Sequence, residues 1–276
     1  MRFIGKIVWI TGASSGIGEG LAYAFNEDGA DIIISAPTAT ELEPVKEKCT
    51  QGPGKVFISA FDMADAGGRE AAARNVLDEF GYVDILVNNA GLGQRASAKD
   101  TALELDRRFM EVNYFGAIDL TKKVLPKMVE RKQGHLVVSS SVAGKYGVPW
   151  RASYCASKHA LHGFFDTLRV ELLPYNIDVT MVVPAGVTSR VFEFALATDG
   201  SELGEKSTGV GISPAECAET VLSGVLKGKH EINIGLRAPM ALLWCKRFAP
   251  SLLFQYVKRM SLVNRFRPPE LMQPSE

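Results

Sequence analysis

The chain has 276 residues, enough for one large domain or two small ones, and a hydrophobic fraction of 46% allows a sizeable core. The 31 basic and 31 acidic residues cancel, so the overall charge does not favour nucleic-acid binding as the main function. Four scattered cysteines without a CxxC pair indicate free thiols in a reducing compartment and argue against a metal site.

Short apolar runs alternate with helix-length segments along most of the chain. Several runs are nearly continuous and rich in Val and Ile, which is typical of parallel strands buried on both faces. We predict strands at 6–10, 31–35, 55–60, 83–88, 134–140, 177–183 and 230–235, and helices at 17–28, 66–80, 101–131, 153–173 and 214–227. This alternation predicts an α/β fold with a doubly wound parallel sheet of about seven strands.

A glycine-rich turn follows the first predicted strand and opens the first predicted helix, in ITGASSGIGEGLAYAF. Gly12, Gly16 and Gly18 would allow a sharp turn, a close approach of a pyrophosphate and close packing of helix on strand. The exposed amides and the helix dipole favour an anion. The turn therefore predicts a nucleotide phosphate site, although a glycine-rich surface turn is the alternative. The other residues of this turn that we assign to the cofactor are Ser14, Ser15 and Ile17.

The spacing of this turn is TGxxxGxG, and with it the sequence resembles the short-chain dehydrogenase/reductase family. The resemblance continues with NNAG at 88–91, with Asn113 in EVNYFG, and with Ser141 thirteen residues before the YCASK stretch that begins at Tyr154. The sequence PAGVTS at 184–189 resembles the family's PGxVxT, with alanine and serine in place of glycine and threonine.

The resemblance covers about residues 5–230, and no linker is visible in the sequence. It implies a Rossmann fold that binds a nicotinamide cofactor. We therefore predict a single domain, residues 1–235, that binds the dinucleotide and performs catalysis. A helical appendage at 236–276 would follow it.

Tyr154 and Lys158 are four residues apart in a predicted helix, so they lie about 40° apart on one face. A phenol has an unperturbed pKa of about 10, and a nearby ammonium lowers it. Taken alone, the pair also fits a helix start where tyrosine packs and lysine extends its stem over apolar surface. The resemblance favours catalysis: it implies that Tyr154 is the acid and base and that Lys158 also holds the nicotinamide ribose.

Two further polar residues complete the catalytic set that the resemblance implies. Ser141 would donate a hydrogen bond to the substrate oxygen, and Asn113 would hold a water that passes protons to Lys158. The alternative for Ser141 is a serine that merely ends a strand. The alternative for Asn113 is a polar residue inside a helix that bonds to a neighbouring strand.

The choice of nicotinamide depends on the residues after the second predicted strand, in IIISAPTATELE. By the resemblance, an acid that selects NAD would fall at Ala36 and an arginine that selects NADP at Pro37, and neither is present. Because no acid is there to repel a 2′-phosphate, we predict NADP, with NAD as the alternative. The resemblance also implies cofactor contacts for Asp62, Met63, Asn89, Ala90, Gly91, Pro184, Val187 and Ser189. For Asp62, the alternative is a loop residue that caps the next helix.

Loops at 145–152 and 190–212 should flank the site at the carboxyl ends of the strands. Their aromatic residues favour a bulky apolar carbonyl or alcohol such as a steroid, retinoid or long-chain lipid, although these side chains would also serve to pack a lid. The substrate contacts that we predict are Ser141, Tyr146, Trp150 and Phe192.

The C-terminal region is basic and apolar, with seven Lys or Arg and no Asp or Glu between Ile232 and Pro269. Between Ser251 and Phe266 the pattern predicts an amphipathic helix that suits an anionic membrane surface; the alternative is a helix packed on the enzyme or across a dimer. The sequence looks most similar to the lipid-, steroid- and retinoid-handling branch of the family. We expect no signal peptide or spanning helix, and hence peripheral binding on the cytoplasmic side of the endoplasmic reticulum or another membrane.

Together these patterns predict an NADP(H)-dependent oxidoreductase that interconverts a carbonyl and an alcohol on an apolar substrate, as a homodimer or homotetramer. One alternative is a catalytically idle nucleotide-binding module that regulates or scaffolds a membrane complex, but such a module has no need of the tyrosine, lysine and serine together. An epimerase or dehydratase with the same tyrosine–lysine pair is a third hypothesis, which the glycine spacing and the chain length disfavour.

Overall fold

The computed structural model describes residues 1–49, 52–188, 190, 193–204 and 211–261. In this part of the chain, seven parallel strands form one sheet in the order β3-β2-β1-β4-β5-β6-β7. The strands are β1 (Ile7–Thr11), β2 (Asp31–Ser35), β3 (Val56–Ile58), β4 (Ile85–Asn88), β5 (Gly134–Ser139), β6 (Ile177–Ala185) and β7 (Glu231–Gly235). The predicted single Rossmann domain is confirmed. The strand order reverses between β1 and β4, where ligands bind in such sheets.

Helices cover both faces of the sheet. They are α1 (Gly16–Glu27), α2 (Glu43–Cys49), α3 (Ala66–Phe80), α4 (Leu103–Met110), α5 (Gly116–Arg131), α6 (Ala152–Glu171), α7 (Pro214–Leu226), α8 (Arg237–Phe248) and α9 (Pro250–Ser261). Helix α2 was not predicted, because seven residues are too few to show a helical period.

The apolar runs form strands whose alternate residues pack into the two hydrophobic cores, one on each face of the sheet. On β1, Val8 and Ile10 belong to the core under α1 and α7, whereas Trp9 between them belongs to the core on the other face. All three side chains are fully buried. Burial on both faces explains why the run is continuous rather than alternating.

The predicted helix over 101–131 is interrupted in the structure. A π-helical turn, Glu111–Phe115, separates α4 from α5. Asn113 lies in this turn, and its side chain bonds to both backbone groups of Leu92. Single π-helical turns inside α-helices occur frequently at functional sites. A single π-helical turn changes the spacing of apolar residues too little to be distinguished from an α-helix, so the sequence pattern does not predict it.

The C-terminal region forms two helices: α9 coincides with the described part of the amphipathic helix predicted between Ser251 and Phe266, and α8 precedes it. Ala249, whose backbone is not helical, separates them, and Pro250 begins the second. In α9, Leu253 is buried whereas Tyr256 is exposed. Residues 262–276 lie outside the described residues. Among the helices that are described, none is long and apolar enough to cross a bilayer.

Candidate active site

A cavity of about 500 Å³ opens at the carboxyl ends of the strands, where β1 and β4 diverge. Its wall consists of the glycine turn after β1, the end of β2, and the segments that follow β3, β4, β5 and β6. Almost all of the predicted cofactor residues line this one cavity. They are Gly12, Ser14, Ser15, Gly16, Ile17, Asp62, Met63, Asn89, Ala90, Gly91, Tyr154, Lys158, Pro184 and Val187.

The glycine turn fits a phosphate group. Gly12 and Gly16 have φ angles of +63° and +60°, a backbone conformation that favours glycine. A Cβ at Gly12 would lie 2.7 Å from Ala90 Cα, and one at Gly18 would lie 2.0 Å from the carbonyl oxygen of Gly12. Gly18 is not part of the cavity lining, so its role here is close packing. Ser15 makes no side-chain cap on α1, which leaves the first amides of that helix for an anion.

Asn89 connects the glycine turn to the strands beside it. Its Nδ2 donates to the carbonyl oxygens of Thr11 and Gly12, each at 3.1 Å. Its Oδ1 accepts a hydrogen bond of 2.9 Å from the Ser139 hydroxyl. These bonds hold the ends of β1, β4 and β5 together and so set the width of the cavity.

Lys158 is buried in α6 beneath the cavity. Its Nζ donates a hydrogen bond of 2.7 Å to the carbonyl oxygen of Ser139. Burial lowers the pKa of its ammonium to about 8. A Cβ placed on Gly91 would lie 3.4 Å from this Nζ and 3.1 Å from Asn113 Oδ1, so the lysine and the asparagine approach the same point of the cavity wall.

Tyr154 lies one turn before Lys158, with its ring centroid 5.8 Å from the lysine Nζ. Burial raises the pKa of its hydroxyl, while the neighbouring Ser141 hydroxyl and the Arg151 charge act in the opposite direction. Ser141 follows β5, and its Oγ accepts a hydrogen bond of 3.1 Å from the Ala143 amide at the start of a 3₁₀ helix. The structure therefore brings two hydroxyls and two cations to one end of the cavity.

Asn113 projects from the π-helical turn toward the same end. Its Oδ1 accepts from the Leu92 amide at 2.7 Å, and its Nδ2 donates to the Leu92 carbonyl at 3.1 Å and to the Ser157 hydroxyl at 3.0 Å. The alternative was a helix-interior residue bonded to a neighbouring strand, but Leu92 lies after β4 rather than in it. Asn113 itself is buried and is not part of the cavity wall. Its hydrogen bonds fix the side chain close to Lys158.

Comparison with known proteins agrees with this arrangement. A sequence profile of the family described as short chain dehydrogenase matches residues 6–199. The chain belongs to the short-chain dehydrogenase family. Dehydrogenase/reductase SDR family member 7B of Mus musculus is 41% identical over 255 residues, which cover 90% of this chain and 79% of that protein. The chain is an NAD(P)-dependent oxidoreductase, as these matches show.

Solved structures share the fold of this short-chain dehydrogenase. A short-chain dehydrogenase from Streptomyces avermitilis superposes with a TM-score of 0.79 at 26% identity, covering 93% of this chain and 97% of that one. An alcohol dehydrogenase from the archaeon Thermococcus sibiricus, complexed with 5-hydroxy-NADP, gives a TM-score of 0.73 at 27% identity, with coverage of 83% and 96%.

The predicted substrate residues of this short-chain dehydrogenase are not all in the cavity wall. Ser141 lines the cavity, whereas Tyr146, which is buried, and Trp150 do not. Trp150 instead has a positive φ of 64°, and its carbonyl accepts from the Ala96 amide at 2.9 Å. Ser189 and Phe192 lie outside the described residues.

Charged side chains that were not predicted from the sequence also line the cavity, namely Glu41, Arg108, Arg151 and Glu202, and so does Phe194 of the predicted aromatic loop at 190–212. Arg151 was detectable, because it lies three residues before Tyr154 and so one helical turn away. Glu41 was not predicted, because the resemblance places the selecting residues at positions 36 and 37. Its carboxylate accepts from Thr38 N at 3.2 Å and from Thr38 Oγ1 at 2.9 Å. An acid therefore belongs to the same cavity wall as Ala36.

Proposed function

We propose that this enzyme interconverts a carbonyl and an alcohol on an apolar substrate, with Tyr154, Lys158, Ser141 and Asn113 as its working groups. One observation supports the proposal above all others. The Tyr154 and Ser141 side chains and a buried lysine line the same cavity as a glycine turn that fits a pyrophosphate. An epimerase or a dehydratase would use a similar pair, but the family of this chain favours redox chemistry.

Proton transfer is the task of Tyr154. When bound, the nicotinamide supplies or takes up the hydride. Tyr154 Oη donates its proton to the substrate oxygen in reduction and accepts it in oxidation. The Ser141 hydroxyl and the positive charge of Arg151 favour the phenolate and act against the burial that raises its pKa. Ser141 Oγ donates a hydrogen bond to the same substrate oxygen and orients it.

Lys158 would have two tasks at this site. A buried ammonium whose pKa is lowered to about 8 exchanges its proton near neutral pH. It would return a proton to Tyr154 through a water that Asn113 holds, and it would bind the nicotinamide ribose. The nearness of Asn113 Oδ1 and Lys158 Nζ to Gly91 supports such a relay.

For the cofactor we propose NADP(H), with NAD(H) also accepted. Position 36 carries no acid, and the similar alcohol dehydrogenase from Thermococcus sibiricus is complexed with 5-hydroxy-NADP. Glu41 acts in the other direction, because a carboxylate at this end of the cavity repels a 2′-phosphate and accepts a hydrogen bond from a free 2′-hydroxyl. Its presence is our reason for including NAD(H).

For the substrate we propose a bulky apolar molecule of the steroid, retinoid or lipid kind. Leu92, Val112 and Phe194 form apolar parts of the cavity wall. The decisive experiment is a panel of carbonyls and alcohols with NADPH, NADH and their oxidised forms, followed by nicotinamide absorbance. Turnover of apolar ketones or alcohols supports the proposal, and binding of the nucleotides without any turnover supports the idle nucleotide-binding module instead.

For the C-terminal appendage, residues 236–276, we propose docking on an anionic membrane. Trp244, Phe248, Leu252 and Phe254 are each at least 66% exposed, and Trp244 stacks on Phe248 at 5.9 Å. The basic residues of α8 and α9 accompany these apolar side chains, and neither helix contains an acid. The same exposed side chains would also suit a subunit contact in a homodimer or homotetramer, which is the competing explanation.

A further inference from the structure

Gln94 lies on the segment that follows β4, and 98% of its surface is shielded from solvent. Both ends of its side-chain amide are used. Its Oε1 accepts a hydrogen bond of 3.0 Å from the backbone N–H of Tyr154, and its Nε2 donates one of 3.1 Å to the Ser153 hydroxyl. The amide therefore contacts the proposed acid/base residue through its main chain.

These bonds place Gln94 in the position of a helix cap. The first amides of a helix lack partners within it, and a side-chain oxygen of the residue before the helix usually accepts from the second or third of them. In α6 that preceding residue is Arg151, which makes no side-chain cap. Tyr154 is the third residue of α6, so Gln94 supplies from a distant segment the acceptor that Arg151 does not.

The neighbouring groups fix which way the amide points. The Ser153 hydroxyl donates to the Asp106 carboxylate, which only accepts hydrogen bonds. The Ser153 oxygen must then accept from the Gln94 NH₂ group, so the Gln94 oxygen faces the Tyr154 amide. A chain of bonds thus runs from α4 through Ser153 and Gln94 to Tyr154.

The backbone around Gln94 is bonded to a second part of the cavity wall, which we name the lid segment, residues 193–204. Leu196 N donates to the Gly93 carbonyl, and Arg95 N donates to the Leu196 carbonyl, each at 3.0 Å. The lid segment contributes Phe194 and Glu202 to the cavity wall. The lid segment is therefore bonded to the backbone on both sides of the residue that caps Tyr154.

We propose that Gln94 is a positioning residue that sets the location of Tyr154 in the cavity and couples it to the lid segment. The proposal rests on the proposed function, in which Tyr154 transfers the proton. Small displacements of a reacting group cost as much as about a hundredfold in rate. Gln94 has this effect only through Tyr154, since it is itself outside the cavity wall.

The test compares Gln94→Met, which removes both hydrogen bonds, with Gln94→Glu, which keeps the acceptor and adds a negative charge. For Gln94→Met we expect kcat to fall about tenfold or more, KM to change by less than about threefold, and nucleotide affinity to stay the same. For Gln94→Glu we expect the pH profile of alcohol oxidation to move to higher pH, because a carboxylate beside Tyr154 disfavours the phenolate. Gln133→Met and Gln133→Glu make the same changes on the exposed surface, and they should alter neither kcat nor the pH profile.

Hydrogen exchange of the Tyr154 amide provides a measurement that needs no substrate. Gln94→Met should lose protection at the start of α6, whereas Gln133→Met should not. Unchanged protection, or lost protection with unchanged kcat and pH profile, would overturn the positioning role. If the parent enzyme turns over nothing in the substrate panel, the proposed function fails, and lost protection in Gln94→Met would then support the cap and overturn the catalytic coupling.

Discussion

The ammonium of Lys158 donates its hydrogen bond to the carbonyl oxygen of Ser139, while the Tyr154 ring centroid lies 5.8 Å away. In the proposed mechanism the lysine would therefore act on the phenol through its charge rather than through a direct bond. Arg151 adds a second positive charge from the other side along α6.

The replacement Tyr154→Phe should abolish turnover and leave nucleotide binding nearly intact. Phenylalanine keeps the ring and removes the proton that is transferred. Steady-state rates and nucleotide affinity should be measured on the same preparation. A variant that retains activity within about tenfold of the parent would exclude Tyr154 as the acid and base.

Replacing Arg151 with Met should raise the pKa of the Tyr154 hydroxyl. The arginine charge lowers that pKa, so its loss leaves burial less opposed. Oxidation of an alcohol needs the phenolate, and its rate should therefore rise at a higher pH than in the parent. Arg74→Met, which removes an exposed arginine from α3, is the matched control. Identical profiles for parent and Arg151→Met would remove Arg151 from the mechanism.

Glu41→Gln should increase the preference for NADP(H) over NAD(H). Glutamine keeps the oxygen that accepts from Thr38, so the local turn is retained while the negative charge is lost. The opposite change, Ala36→Asp, should favour NAD(H). The ratio of kcat/KM for the two cofactors measures both effects, with Glu43→Gln as a control on the exposed neighbour. A ratio that does not move for either variant means that the 2′ position of the ribose lies elsewhere.

The C-terminal helices should bind anionic vesicles in a salt-dependent manner. Each basic residue near such a surface contributes about 1 kcal/mol, and 0.1 M salt screens the attraction over about 10 Å. Flotation should be lost when Lys246, Arg247, Lys258 and Arg259 are changed to Gln. Four exposed basic residues elsewhere, Arg74, Lys122, Lys127 and Lys132, provide a control of equal charge. If the parent floats with no vesicle and removal of α8 and α9 dissociates an oligomer, these helices form a subunit contact.

Stability should decrease as the pH falls from about 6.5 to about 4. Burial lowers the pKa of both His135 and His162 to about 4, whereas in the unfolded chain a histidine has a pKa of about 6.5. The unfolded state therefore binds more protons in this window and is favoured as the pH falls. Urea titrations across this pH window should show that the free energy of unfolding falls less for His162→Gln than for the parent. An equal loss in variant and parent would mean that His162 is not neutral in the folded protein.

Much of this site could be predicted from sequence because its spacing is local. The glycine turn and the Tyr154–Lys158 pair each lie within one helical turn or one loop, so local spacing predicts that the members of each set lie together. Their assignment to a catalytic site came from the resemblance to the short-chain dehydrogenase/reductase family. Glu41 and Gln94 were missed for the opposite reason. The chain turns after β2, and this turn brings Glu41 to the cavity wall. Gln94 accepts a hydrogen bond from a helix that begins 58 residues later. Contacts of that kind depend on the tertiary fold.

The π-helical turn at Glu111–Phe115 accommodates one residue more than an α-turn. Deleting one residue there would convert it into an α-turn and keep α4 and α5 nearly in phase, so that the buried face of α5 would still pack on the sheet. The side chains of the turn itself would shift, and Asn113 would lose its place opposite Leu92. A change of one residue in chain length would thus move a polar side chain near Lys158 while leaving the core packed.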